Sequence, residues 1–271
     1  MAHAFRFGVV ATPQNNDQWT GLARQVADLG YSTLLMPDGL QLPSPFPSLA
    51  LAAGVADLDV ATFVVAAPMR PPHLVAWEAH SMTALTDGRF MLGIGTGRPA
   101  AKEFTERLGM PWGSAAERRD LVRQAVRDLR ELDGDVRTPV MVAAYGPKAM
   151  DLAVETADII ALGAGPLATR EEVRGVADGL REKAGDRAQD IEISMNLFSA
   201  GDDVPGWVQN AIGIDAQTLI EQDSLVLLRG SPDQMVEELQ RRREEIGVSY
   251  VTVNQAGMQA MAPVVDRLKG K

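Results

Sequence analysis

The sequence predicts a single-domain (β/α)8, or TIM, barrel occupying residues 1–271. Three observations carry this expectation. Short runs of Val, Ile, Leu, Phe and Met alternate with longer segments of helical period from end to end, the pattern of βα units around a parallel sheet. Eight such pairs can be counted. The length of 271 residues is also close to the ~250 typical of this barrel. An open doubly wound sheet shares the alternation but usually has fewer units and a reversal of crossover direction.

Each element has its own local signal. The first strand is expected over residues 5–11, with helix 17–29 ending at Gly30. Strand 32–36 leads into Pro43, Pro45 and Pro47, which predict a stiff extended loop before helix 47–57. Strand 60–66 is followed by helix 72–86, opened by Pro72 and closed before Gly88. Strand 90–95 precedes helix 115–132, where Ser114 and Glu117 have capping-box spacing. Strand 140–144 runs into helix 147–157 through Pro147, and strand 158–162 into helix 170–184 through the box Thr169/Glu172. After strand 191–198, residues 199–229 exceed an ordinary βα connection and contain an apolar-periodic stretch near 207–220, so they are expected to form an insertion and lid. Ser231, Pro232 and Gln234 open helix 232–246, Gly247 closes it, and strand 249–254 and helix 257–268 complete the eighth unit.

Composition narrows the function. Hydrophobic residues are 46% and charged residues 23%, ample for a folded core. The net charge of −10, with no Lys/Arg-rich run, argues against a nucleic-acid partner. With no cysteine there is no disulfide, thiolate nucleophile or cysteine-ligated metal. No uncharged run approaches the ~20 residues of a membrane span, and the first residues lack a secretory pattern, so a soluble cytoplasmic protein is expected. Arg outnumbers Lys 21 to 5, a bias expected of a GC-rich genome.

In such a barrel the chemistry lies at the C-terminal ends of the strands. The fourth strand ends in Gly95-Thr96-Gly97-Arg98. Glycines there admit either a tight turn or a ligand lying close to the backbone. The fifth ends in Tyr145-Gly146-Pro147-Lys148, which puts free helix-terminal amides and a lysine at the same rim. That suits an anion such as phosphate, although a plain Gly-Pro helix start reads the same way. Asp38 emerges from the apolar strand Thr33-Leu34-Leu35-Met36. It either meets a ligand or caps the local turn. His73 and His80 lack the i, i+4 spacing of a helical metal pair, and no metal site is expected.

Several of these stretches resemble the luciferase-like monooxygenase superfamily: Thr33 to Asp38, then Arg70-Pro71-Pro72-His73-Leu74, then the continuous run from Leu85 to Gly97. Leu228-Arg229-Gly230-Ser231-Pro232-Asp233 and the later Gly247 to Val251 are similar to the family's closing unit. The likeness implies a (β/α)8 barrel that binds coenzyme F-420, a deazaflavin, or alternatively flavin mononucleotide (FMN). It places ring contacts on Asp38 and on Thr62, Phe63, Val64 and Val65, where the family often has a non-proline cis peptide. Phosphate contacts fall on Gly95, Thr96, Gly97 and Arg98, and on Tyr145, Gly146, Pro147 and Lys148.

Departures qualify the resemblance. Deazaflavin-dependent sugar-phosphate dehydrogenases of the superfamily carry Asp-His after strand 2 and Glu after the strand-4 glycines. Here those positions read Asp38-Gly39 and Gly97-Arg98. No general acid or base is identified, with Asp38 the one weak candidate. The resemblance implies an oxidoreductase passing hydride between F-420 and a small organic substrate. The alternatives are a monooxygenase using reduced FMN and oxygen, and a non-catalytic barrel. A homodimer pairing through outer helices is expected.

Overall fold

The computed structural model describes residues 3–144, 146–163 and 165–271. Its strands β1 (Arg6–Val10), β2 (Thr33–Met36), β3 (Asp59–Thr62), β4 (Phe90–Gly95), β5 (Val140–Ala144), β6 (Ile159–Leu162), β7 (Glu192–Leu197) and β8 (Val248–Asn254) pair in parallel in chain order. Pairing of β8 with β1 closes the barrel. Helices α1 (Asn16–Asp28), α2 (Pro45–Ala53), α3 (Pro72–Leu85), α4 (Ala115–Asp133), α5 (Pro147–Thr156), α6 (Arg170–Ala184), α7 (Pro232–Ile246) and α8 (Met258–Leu268) each follow one strand.

Near-continuous apolar strands are required because both faces are buried. Phe7, Val9, Leu34, Leu92, Val142 and Val253 pack outward among the helices. Leu35, Ala61, Met91, Met141, Ile159 and Tyr250 fill the interior. At the N-terminal end of the interior the Arg6 Nε donates to Glu192 Oε2 at 2.8 Å, and its guanidinium lies 3.8 Å over the Tyr250 ring. This charged plug sits at the opposite end from the rim where ligands bind in such folds.

All three predicted capping boxes form, at Ser114/Glu117, Thr169/Glu172 and Ser231/Gln234. Pro72, Pro147 and Pro232 occupy first turns, where no amide hydrogen is needed. Among the described residues no helix is long and apolar enough to cross a membrane.

Three local expectations are corrected and a fourth is refined. The continuous strand 60–66 is broken: β3 ends at Thr62, and pairing with β4 resumes at Val65–Ala66 after a one-residue shift, from Ala61 opposite Met91 to Val65 opposite Ile94. The cis Phe63–Val64 peptide lies inside this bulge. Pro45 and Pro47 are in the first turn of α2 rather than an extended loop, because proline supplies a helix-compatible φ there. A helix at Ala101–Arg107 follows β4 without a side-chain cap, so it has no start signal in the sequence. The apolar-periodic stretch near 207–220 is resolved into two short helices, Gly206–Ile212 and Ala216–Glu221, divided at Gly213 with φ +78°.

Candidate functional site

The bulge after β3 and the glycines of β4 make one construction. A Cβ on Gly93 would lie 1.9 Å from the Thr62 carbonyl oxygen, so only glycine lets the two strands approach there. Thr62, fully buried, donates its hydroxyl hydrogen to the Gly93 carbonyl at 2.7 Å and accepts from the Gly93 amide at 2.9 Å. A side-chain hydroxyl thus replaces the ladder partners that the register shift removes. Val64 fills the space left beside Gly93 and Gly95, where added Cβ atoms would come within 3.2 and 3.1 Å of its methyl groups. Thr62 therefore supports the bulge from behind, and Gly95 makes room for Val64. Phe63 and Val64 are the half-buried members of the predicted stretch, whereas Val65 is fully buried.

The barrel mouth is floored by the last inward-facing residues of the strands. Val10, Phe63, Ala143, Ala161, Asn196 and Asn254 are each half-buried there. On the β5–β6 side the floor consists of alanines. On the β7–β8 side it is polar: Asn196 accepts from the Thr252 hydroxyl at 2.9 Å, and Asn254 accepts from the Ala256 amide at 3.0 Å. Phe198 follows β7 and stacks, tilted, on Trp207 of the insertion with ring centroids 6.4 Å apart. Val208, Leu219 and Leu227 give the insertion a small core of its own. The inserted segment is thereby joined to the rim through an aromatic pair.

The residues expected to meet an anion lie in two loops on the neighbouring strands β4 and β5. Gly97 has φ +82° and lies against Trp112; a Cβ added to it would sit only 3.0 Å from that ring, so the loop has no room for a side chain. Arg118, on α4, donates from Nε to the Thr96 carbonyl at 3.0 Å and from Nη1 to the Gly113 carbonyl at 2.9 Å, and lies 4.2 Å from the centre of the Trp112 ring. Arg98 is exposed and its carbonyl accepts from Ala101 as the next helix begins. Across from this loop, α5 opens at Pro147 with no side chain capping it, and the Gly146 Cα faces open space. Lys148 is exposed on the same turn. Uncapped amides at such a helix start carry partial positive charge. Tyr145 lies outside the described residues.

Asp38 is held by a partner that local sequence pattern does not assign. Arg70 donates from Nη1 to Asp38 Oδ2 at 2.6 Å and from Nη2 to Oδ1 at 3.0 Å, while the Ala66 amide reaches Oδ2 at 3.4 Å. Burial opposes the Arg70 charge, but the hydrogen bonds to Asp38 and the nearby carboxylates of Asp38 and Glu78 outweigh it and hold its pKa above the ordinary value. Burial raises the Glu78 carboxyl, against the attraction of Arg70 at 3.9 Å. The Asp38 carboxylate thus braces the end of β2 against Arg70 and the Ala66 backbone. His80 likewise faces Asp133, Nδ1 to Oδ1 at 3.0 Å, on the outer side of the barrel.

Asn196, Asn254, Phe198 and Arg118 escape sequence reasoning that looks only at glycine loops and charged residues just after each strand. Alternation along β7 is the signal that points to the first of them: Glu192, Ser194 and Asn196 share the inward face between apolar Ile193, Met195 and Leu197.

Fold and rim together define a parallel (β/α)8 barrel whose N-terminal end is closed by the Arg6, Glu192 and Tyr250 cluster. The luciferase-like monooxygenase family matches residues 3–204, and the chain belongs to that family. An uncharacterized protein of Mycobacterium bovis is 31% identical over 133 residues, covering 40% of this chain. The chain spans about half, 46%, of the length of that curated relative. Among solved structures, the coenzyme F420-dependent tetrahydromethanopterin reductase from Methanopyrus kandleri superimposes with a TM-score of 0.76 at 17% identity, covering 99% of this chain and 100% of the other. The oxygenating constituent of 3,6-diketocamphane monooxygenase from Pseudomonas putida, solved with FMN, gives 0.73 at 15% identity, covering 99% of both chains. At these identities the structural likeness establishes the fold.

Proposed function

We propose that the protein is an oxidoreductase that binds a phosphorylated tricyclic coenzyme across its mouth, F-420 in the first reading, and passes hydride between it and a small organic substrate. The observation that carries this is the uncapped, open start of α5 beside the β4 loop, next to a floor of Ala143 and Ala161. These residues fit such a group. The helix start and Lys148 suit a phosphate, and the small side chains leave space for a flat ring against Phe63 and Val64. Bound there, a deazaflavin would supply the hydride-transfer centre and the protein would supply orientation and exclusion of water. Arg118 keeps the Thr96–Gly97 backbone in place, and Thr62 holds the bulge that backs the ring.

FMN is the second reading, and the FMN-bound Pseudomonas putida neighbour favours it. Parallel fluorescence titrations with F-420 and FMN, each oxidised and reduced, separate the two. Binding of one and at least tenfold weaker binding by Gly146→Val, in a variant that remains folded, is the expected result. Binding of neither coenzyme overturns the proposal.

We also propose that two copies pair through α2 and α3. Trp77 is 63% and Leu85 78% exposed along one side of α3, with Leu51 of the adjacent α2 at 41%. These exposed apolar side chains are the contacts proposed for the pair.

A further inference from the structure

A groove of about 450 Å³ runs from the rim beyond β1 and β8 along one face of α1, which supplies Gln18, Trp19, Gly21, Leu22 and Gln25 of its lining. It begins where Val10 and Asn254, paired in register, end those strands, since Thr12 and Gln255 on its wall follow them directly or after one residue. Around the barrel this is the side opposite the β4–β5 loops. Gln14, Gln18, Gln25 and Gln255 line it with Thr12, over the buried Trp19 and Leu22. None of its eight lining residues is charged. That sets it apart from two other cavities, one between α4 and α5 lined by five arginines and two glutamates, the other at the N-terminal end beside Arg181 and Arg243.

The carboxamides of Gln14, Gln18, Gln25 and Gln255 make no side-chain hydrogen bonds among the described residues, and all four residues are exposed. Each offers a donor pair and an acceptor side by side. The Trp19 indole is turned away to the Ser48 carbonyl at 2.7 Å, which fixes the floor. Gly21, with nothing within 4 Å of its Cβ position, keeps the helix face between Gln18 and Gln25 open.

We infer that this groove binds an uncharged, polyhydroxylated group. Adjacent hydroxyls match the paired donor and acceptor of a carboxamide. An alkyl group would desolvate four carboxamides without giving them partners, and an ionised group would find no opposite charge. Its volume falls within the ~300–1,000 Å³ of small-molecule sites.

The test is ligand-observed saturation-transfer NMR on the coenzyme-free protein, followed by titration calorimetry. The probes are methyl glycosides of glucose, galactose and mannose, the neutral trisaccharide maltotriose, glucuronate and 1-hexanol. At least one neutral saccharide is expected to saturate the protein, more tightly than glucuronate or hexanol. The double variant Gln18→Leu/Gln25→Leu should weaken it at least tenfold, and Gln255→Leu, on a loop away from α1, serves if the double variant does not fold. No saturating neutral saccharide, equal binding of glucuronate or hexanol, or affinity unchanged in the folded variants overturns the inference. The coenzyme titrations fail or succeed separately: saccharide binding without coenzyme binding retains the groove and removes the redox reading, and the reverse removes the groove alone.

Discussion

The Thr62 hydroxyl brackets the peptide groups of Gly93, donating to its carbonyl at 2.7 Å and accepting from its amide at 2.9 Å. One buried side chain thereby closes the barrel at the point where β3 and β4 lose register. Thr62→Val keeps the shape and removes both hydrogen bonds, leaving two buried backbone groups unpaired. A loss of about 2–4 kcal/mol in urea unfolding is expected, from ~1–3 kcal/mol per unsatisfied group with partial relaxation. Coenzyme affinity, read by the same titrations as above, should fall with it because the bulge bearing Phe63 and Val64 is released.

Arg70 and Asp38 should behave as a unit. The Asp38 side chain is 2% exposed, and Arg70→Met leaves that carboxylate with the single long contact from the Ala66 amide. About 3 kcal/mol of stability should be lost, at the lower end for a broken buried pair. The double variant Arg70→Met/Asp38→Asn should recover part of it. Equal thermal melts for the wild type and Arg70→Met would show that the pair is not a brace.

Glu78 supplies a pH signature. Its folded pKa is raised by burial, so the native state binds more protons than the unfolded chain between the usual carboxylate range and that raised value. Stability from this group is therefore complete at low pH and falls as pH rises through the interval. In Glu78→Gln this component of the pH dependence should vanish, and the variant should gain on the wild type in thermal melts from pH 4 to pH 7.

Glu238 has the opposite sign. Burial opposes its charge, but Arg170, Arg242 and Arg241 lower its pKa to about 2. Its contribution is complete above the usual carboxylate range and is lost as pH falls toward about 2. Arg242, 3% exposed, also donates to the carbonyls of Leu225 and Leu227 at 2.8 and 2.9 Å, which anchors the end of the insertion. Glu238→Gln should cost about 3 kcal/mol near neutrality by leaving that guanidinium without a counter-charge. Proteolysis within 199–229 should accelerate in the same variant.

The α2–α3 pairing is checked by sedimentation. Trp77→Glu places a charge in the proposed contact and should yield a monomer with an unchanged circular dichroism spectrum. A wild-type protein that sediments as a monomer at micromolar concentration removes the proposal.

The barrel was legible in the sequence because its determinants are local. Capping boxes such as Ser114/Glu117, prolines at helix starts and apolar strand runs act over a few residues, and eight repetitions of strand and helix leave little topological choice. The rim glycines were legible for the same reason, although their roles were not. Gly93 is glycine because of Thr62, thirty-one positions away, and Asp38 is a brace because Arg70 lies thirty-two positions on. The carboxamide groove joins residues after β1 to Gln255 after β8, and the polar floor joins Asn196 to Thr252. Contacts between distant positions depend on barrel closure and strand register, which no local pattern encodes, so the elements could be read from the chain while the partners of each site residue were decided by the tertiary structure.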